Sequence, residues 1–427
     1  MRNEAVVSRA ERFEGEVSLP ADKSIAHRSA LFAALGDGTS TLRNFPDAAD
    51  PQTTISCLRE LGIQIETTGD LLTVYGRGLE GLASAGGQVD CGNSGTTIRL
   101  LAGVLSGQPF DSVLIGDESL SRRPMDRIAL PLREMGAEIR LTNGHAPIEI
   151  FGSRALHGTT YKLPVPSAQV KSCVLLAGLY ASGTTTIVER NISRDHTERM
   201  LGLNTITIDG KRHISVKQGL RIPAREWIIP RDFSAAAFFL VAASIIPGAH
   251  IRMEKVGLNP TRSALLDVLR AMGADIQVAN ESEEAGEPLG DVLVHSSELS
   301  GVTLSGEIIP IIMDEIPALA VAATAAVGRT EIRDASELRV KETDRIRATV
   351  DNLRRMGADV DEFDDGFAIA GGKDLVGAEV DSFGDHRMAM AMAVAGLIAD
   401  KETVVAGASS ASISFPGFWD ELGHLVA

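Results

Sequence analysis

The chain is poor in the residues that mark several large functional classes. It has only three cysteines, Cys57, Cys91 and Cys173, widely spaced and odd in number. They form no Cys-x-x-Cys pair and no disulfide framework, so they read as buried thiols of a protein in a reducing, cytoplasmic setting. Aromatic residues make up 4% of the sequence, too few for a platform on which bases stack. Cations are outnumbered, 41 Lys and Arg against 57 Asp and Glu, for a formal charge of −16. That balance argues against nucleic acid or an anionic membrane as partner. The most apolar stretch, 235–249, is 15 residues long and reaches a Pro-Gly pair, which suits a core helix and not a membrane span. The opening Met1-Arg2-Asn3-Glu4 has no apolar signal-peptide region. No His-Glu-x-x-His, P-loop or Gly-x-Ser-x-Gly string occurs, so no metal, nucleotide cofactor or serine triad is expected.

What is present is a repeat. The phrase Leu58-Arg-Glu-Leu-Gly-Ile-Gln-Ile65 recurs as Leu132–Ile139, Leu269–Ile276 and Leu353–Val360, with fainter copies at Met200–Leu203 and Glu421–Gly423. Each reads as a helix end, a glycine cap and a strand. Before each copy lies an Ala-rich apolar helix: Ser24–Gly36, Ser94–Gly107, Ala168–Gly183, Asp232–Gly248, Glu315–Gly328 and Asp385–Asp400. A short strand follows each of these. The unit is helix, strand, helix, strand and usually another strand, six times over. One unit alone cannot cover its apolar helix, but three stacked around a shared centre can. Six units as three plus three predict an α/β protein of two similar domains.

The first apolar helix starts just after Leu19-Pro20 and the fourth just after Ile229-Pro230-Arg231. The expected division is an N-terminal domain 21–229 and a second domain built from 1–20 plus 230–427. Two crossings, near 20 and 230, would make a double hinge, and a hinge between like domains predicts a cleft that closes on substrate.

The helix starts carry polar knots. Asp22-Lys23-Ser24-Ile25-Ala26-His27-Arg28 opens the first helix, Asp90-Cys91-Gly92-Asn93-Ser94-Gly95-Thr96-Thr97 the second, and Pro166-Ser167-Ala168-Gln169-Val170-Lys171 the third. Ser121–Arg127 and Ser193–His196 follow strands of the second and third units. In the other half, Met313-Asp314-Glu315, Leu338–Arg345 and Gly384-Asp385-His386-Arg387 take the matching places. Hydroxyls and backbone N–H groups at a helix start, beside Lys or Arg, suit an anion. Repetition at equivalent positions points to one anion-binding cleft, fed by small anionic substrates. His27, His196 and His386 each adjoin Arg or Asp and read as hydrogen-bonding residues.

These knots resemble the 5-enolpyruvylshikimate-3-phosphate (EPSP) synthase family along essentially the whole chain. The Arg-Val-Lys-Glu-Thr-Asp-Arg string at 339–345 and Asp-His-Arg-Met-Ala-Met at 385–390 are the most specific matches. The resemblance implies two domains, each of three βαβαββ repeats in an inverse α/β barrel-like arrangement, with the active site in the interdomain cleft. It implies transfer of the enolpyruvyl group of phosphoenolpyruvate to the 5-hydroxyl of shikimate 3-phosphate, without cofactor or metal, by a cytoplasmic monomer. Carried over, Lys23, Gly95, Arg123, Gln169, Arg345 and Arg387 would bind phosphoenolpyruvate. Lys23, Ser24, Arg28, Ser167, Ala168, Gln169, Arg194, Asp314 and Lys341 would bind shikimate 3-phosphate. Lys23, Asp314, Lys341 and Glu342 are the catalytic candidates, with Asp314 at the hydroxyl and Glu342 at the methylene.

The sequence departs from the family pattern twice. Many relatives carry a lysine before the final Phe-Pro, where this chain has Ser412-Ile413-Ser414-Phe415-Pro416. Many have Ser-Ser-Gln where Ser167-Ala168-Gln169 stands, with Lys171 nearby. The resemblance also links Gly95 to glyphosate sensitivity. A sibling family uses UDP-N-acetylglucosamine as acceptor. Its Lys-Asn pair is replaced here by Lys23-Ser24, and its loop cysteine has no counterpart around Ser121-Arg122-Arg123.

Overall fold

The computed structural model describes residues 3–152 and 155–426. Met1 and Arg2, within the stretch 1–20 assigned above to the second domain, lie outside the described residues. The chain forms two compact units, one of Ala21–Pro230 with Glu283–Glu287, the other of 3–20, 231–282 and 288–426.

Among the described residues each unit is built on three sheets, and five of the six sheets share one order. A first strand runs parallel to a second; the second pairs antiparallel with a fourth, and the fourth with a third. Gln88–Asp90, Ser112–Ile115, His145–Phe151 and Glu138–Thr142 make one such sheet. Thr160–Lys162, Thr184–Glu189, Lys211–Lys217 and Asn204–Ile208 make another. The parallel step needs a crossover, and the apolar helix supplies it. For the first repeat, the first strand comes from the end of its unit, Glu226–Ile228 beside Asp37–Arg43. For the fourth, it comes from the N-terminal strand Glu14–Val17 beside His250–Gly257.

The sixth repeat differs from the expectation. Gly423 lies inside the helix Phe418–Leu425, and among the described residues no strand follows it. The antiparallel place in that three-stranded sheet is taken by Glu4–Val7 against Thr403–Ala406. With a partner for the strand edge already present, a closing hairpin is not needed.

The first helix of every repeat is buried nearly all round: Ile25–Leu35, Val170–Gly178 and Phe233–Ser244 are buried without a break. The second is amphipathic; Asp126–Glu134 buries only Ile128, Ala129, Pro131 and Leu132. Strands such as His145–Phe151 alternate between buried and less buried positions, so each sheet turns one face inward. Helices therefore occupy the centre and sheets the outside. Small residues allow this. A Cβ on Gly103 would collide with the backbone oxygen of Cys173, so the helices Gly95–Leu105 and Ala168–Gly178 pack backbone to backbone. The apolar helices also stop short of their expected ends, at Gly178 and Gly396, because the chain must turn before the next strand.

The repeated phrase has a physical cause. Gly62, Gly136, Gly273 and Gly357 all have positive φ, which lets the helix end and the chain reverse. The arginine three residues earlier then reaches the strand that follows. Arg59 donates to Ile65 O at 3.0 Å, Arg133 to Ile139 O at 2.8 Å, Arg270 to Ile276 O at 3.2 Å and Arg354 to Val360 O at 2.8 Å. Four copies of one brace hold helix, turn and strand together. The three cysteines are buried and free.

Candidate functional site

In the Ala21–Pro230 unit the site residues stand on helix starts set by side-chain caps. Asp22 accepts from Ile25 N at 2.9 Å, Ser94 from Thr97 N at 3.2 Å and Ser167 from Val170 N at 3.3 Å. Lys23 is thus the first helical residue, where the helix dipole disfavours a cation. Asp50, in the first turn of Ala49–Glu60, compensates it at 3.1 Å. Burial alone would raise the Asp50 carboxyl, but Lys23, His27 and Arg123 outweigh it and hold it below the usual range. Ser24 follows, its carbonyl accepting from Arg28 Nη1 at 3.0 Å.

Around Gly95 the cations crowd. Arg99 donates to Gln169 Oε1 at 2.5 Å, and Gln169 Nε2 donates to Thr96 Oγ1 at 3.0 Å. Gln169 therefore ties the second helix start to the third. Arg123 donates to Asn93 Oδ1 at 2.6 Å, and Asn93 in turn donates to Asp117 at 2.8 Å. Burial, then repulsion from Arg123 and Arg127, lowers Arg99 to about 10. A Cβ on Gly95 would lie 2.8 Å from Arg99 Nη1 and 3.2 Å from Arg123 Nη1. Only glycine leaves this space open. Ser167 keeps its own O–H to donate while it caps, whereas Ala168 offers only backbone.

Arg28 and Lys171 are held more tightly than their sequence positions suggest. Arg28 is buried and donates to Thr197 at 2.8 Å, Ser172 at 2.9 Å and Ser24 O. Burial pushes it down to about 10, with Arg194 adding like-charge repulsion against the pull of Glu198, Asp22 and Glu287. Lys171 is fully buried, with Glu198 at 2.7 Å, Glu189 at 3.1 Å and Ser193 O at 3.1 Å. It cannot supply the hydroxyl that Ala168 lacks; it is the centre of a structural ion cluster. Its helical position faces the core, where charges exist only when paired.

In the second unit the residues gather around Arg345. Asp344 caps the helix Arg345–Arg355, so Arg345 is its first residue. Its guanidinium is 1% exposed. It donates to Asp385 at 2.7 Å, Asp314 at 3.1 Å and Glu342 at 2.6 Å. Burial works against its charge, yet Glu342, Asp385 and Asp314 together hold it above the ordinary value. Asp385 also caps the helix His386–Gly396 by accepting from Arg387 N at 2.8 Å. Arg387 donates to Asp314 O at 3.1 Å and meets its carboxylate at 3.3 Å. Asp314 is therefore bracketed by two arginines. Glu342 is the open member, its side chain 41% exposed. Burial raises its carboxyl, but Arg345 and Arg387 overcome that and hold it below the usual range. Lys341, beside it, is half-buried and makes no hydrogen bond or ion pair among the described residues.

Other members of the quoted strings are structural. Arg339 spends its guanidinium on Asp344, Glu362 and the carbonyls of Asp364 and Phe363, bracing the loop that carries Lys341 and Glu342. His196 bonds Glu287 at 2.9 Å. The stretch of the missing lysine is a 3-10 helix, Ala408–Ile413, with Ile413 exposed. Sequence reasoning passed over Asp50 and Asn93 as partners of the cations. Each lies at or near a helix start, which is the signal that could have found them. Among the described residues, no group of three or more His, Cys, Asp or Glu could hold a metal ion.

The sequence matches the family described as EPSP synthase (3-phosphoshikimate 1-carboxyvinyltransferase) over residues 7–422. It is 56% identical over 423 residues to a 3-phosphoshikimate 1-carboxyvinyltransferase of Salinibacter ruber, covering 98% of both chains. A relative of that name from Brevibacillus brevis is 48% identical, covering 97% of this chain and 98% of its own. A solved EPSP synthase structure from Acinetobacter baumannii superposes with a TM-score of 0.91 at 41% identity, covering 99% of this chain and 98% of that one.

Proposed function

We infer the activity from kinship and site together: the chain belongs to the EPSP synthase family, and it transfers the enolpyruvyl group of phosphoenolpyruvate to the 5-hydroxyl of shikimate 3-phosphate. Phosphate is released, in the sixth step of the shikimate pathway. The observation that supports this reading of the site is the bracket around Asp314. Two arginines hold one carboxylate, and the more open Glu342 sits on the same guanidinium. That arrangement offers both anion binding and two separate acid–base groups.

In the addition step the 5-hydroxyl oxygen bonds to C2 of phosphoenolpyruvate. Asp314, with Lys341 beside the ring hydroxyls, takes the hydroxyl proton, and Glu342 gives a proton to C3. The product is a ketal phosphate with a new methyl group. In the elimination step the C2–O bond to phosphate breaks, and Glu342 takes a proton back from the methyl. The proton held by Asp314 leaves with phosphate. Lys23, Arg123, Arg345 and Arg387 hold the phosphate and carboxylate of phosphoenolpyruvate, with Gln169 and the backbone at Gly95. Ser24, Ser167, Gln169, Arg194 and the amide end at Ala168 hold shikimate 3-phosphate with Lys23. Arg28 contributes charge and its remaining N–H edge.

One condition follows from the electrostatics. Glu342 is ionised in the free protein, so it must gain its proton after substrate arrives. An anion placed on Arg345 weakens the field that holds Glu342 down, which raises its pKa and makes it an acid.

The buried free thiols support a reducing, cytoplasmic location, and we propose a monomer, which light scattering tests. The space at Gly95 supports glyphosate as an inhibitor competitive with phosphoenolpyruvate, and unchanged turnover at millimolar inhibitor would contradict it. The central experiment is phosphate release from phosphoenolpyruvate with either acceptor. Release with shikimate 3-phosphate alone is expected; release with UDP-N-acetylglucosamine alone would overturn the assignment.

A further inference from the structure

Behind the helix starts of the Ala21–Pro230 unit, four buried side chains form one chain of hydrogen bonds. His27 Nδ1 meets Thr54 Oγ1 at 2.7 Å, and Thr54 Oγ1 meets Thr97 Oγ1 at 2.7 Å. Thr97 Oγ1 donates to Ser94 Oγ at 2.7 Å, the same oxygen that caps Thr97 N. None of the four is more than 3% exposed.

The proton directions follow from the last bond. Thr97 gives its hydroxyl proton to Ser94, so its oxygen accepts from Thr54. Thr54 then has no proton left for His27, and the imidazole must donate from Nδ1. That makes Nε2 a bare acceptor, and it is buried with no hydrogen-bond partner among the described residues. Burial, aided by Lys23 and Arg28 against Asp50, lowers this histidine to about 3 and keeps it neutral. The chain therefore keeps one hydrogen-bond pattern across the working pH range.

Its placement is what suggests a task. His27 lies one turn beyond Lys23 on the helix Lys23–Leu35, and Thr54 one turn beyond Asp50 on Ala49–Glu60. Ser94 and Thr97 flank Gly95 at the start of Gly95–Leu105. Each link stands directly behind a group at the phosphoenolpyruvate side of the site. A buried hydroxyl pair adds little net stability over apolar groups of the same shape, so stability alone does not account for it.

We propose that the relay His27–Thr54–Thr97–Ser94 is a positioning network that fixes the Gly95 turn against the Lys23–Asp50 pair and so sets affinity for phosphoenolpyruvate. The proposal rests on the function given above. Gly95 O accepts from Arg99 at 3.3 Å, and even a methyl added at Gly95 would crowd Arg99 and Arg123, so a small rotation of its turn changes the room for the substrate anion. Shikimate 3-phosphate, which also has Ser24, Ser167, Arg194 and the amide end at Ala168, should feel that rotation less.

The test uses Thr97→Val and Thr54→Val, which keep shape and remove the hydroxyl, with Thr97→Ser, which keeps it. Steady-state kinetics are measured against each substrate separately, alongside thermal melting. The Val variants should raise KM for phosphoenolpyruvate roughly five- to ten-fold. KM for shikimate 3-phosphate should stay within about two-fold, and Thr97→Ser should restore the wild-type value. Equal KM changes for both substrates, unchanged KM for both, or a Ser variant as impaired as Val would each overturn the relay. A wild-type protein that releases no phosphate would overturn the functional reading as well. That outcome is distinct from an active wild type with unaltered variants.

Discussion

The two units present their charges in opposite ways. In Ala21–Pro230 several cations are held by neutral groups: Arg123 by Asn93, Arg99 by Gln169, and Arg28 by Ser172 and Thr197. In the other unit Arg345 already has three carboxylates, and Arg387 shares Asp314 with it. In the first arrangement the guanidiniums of Arg99 and Arg123 are held in place by neutral amides rather than by carboxylates. The second is a balanced set in which an incoming anion must compete with resident carboxylates. On the proposed function, the first set binds substrate, while the second both binds phosphoenolpyruvate and transfers protons. A net charge of −16 is compatible with both, because each cation is set among its own local partners.

The largest expected effect lies in the balanced set. Asp314→Ala and Glu342→Ala should each lower turnover by about 10² to 10⁴ while substrate affinity, measured by calorimetry, changes far less. Normal turnover in both would end the acid–base assignment. Next, Arg345→Met should cost about 3–5 kcal/mol of stability in urea unfolding, because it leaves Asp385 buried and uncompensated. Arg123→Met, in the first unit, should stay within about 0.5 kcal/mol yet raise KM for phosphoenolpyruvate. Equal stabilities for the two variants would erase the contrast between the units.

A smaller effect is expected at Gly95. The methyl of Gly95→Ala pushes on Arg99 and Arg123, whose side chains can give way, so KM for phosphoenolpyruvate should rise about ten-fold and glyphosate inhibition should weaken further. The smallest effect is a fraction of a proton. Glu342 lies below its ordinary pKa in the free protein, and an anion on Arg345 should raise it. At a pH between the two values binding takes up a proton, and well above both it takes up none. Calorimetry in buffers of different ionisation enthalpy should detect the uptake at mildly acid pH. Glu342→Gln should abolish it.

Much of the fold was legible because its signals are local. The Leu-Arg-x-x-Gly phrase places a helix end, a positive-φ glycine and a strand within eight residues, and the arginine brace spans only six. The caps Asp22, Ser94, Ser167 and Asp385 could be read from neighbours two or three residues away. The misreading at Gly423 arose because the strand that completes the sixth sheet lies at the opposite end of the sequence.

By itself, then, the sequence determined the number of repeats, the helix starts and the residue types placed on them. Caps, turns and period depend on contacts within a turn or two of the chain. Only the tertiary structure decided which charges are spent and which remain for substrate. Lys171 is consumed by Glu189 and Glu198, and Arg339 by Asp344 and Glu362. Desolvation and Coulomb attraction act through space, so a cation's availability is set by whatever folding brings beside it.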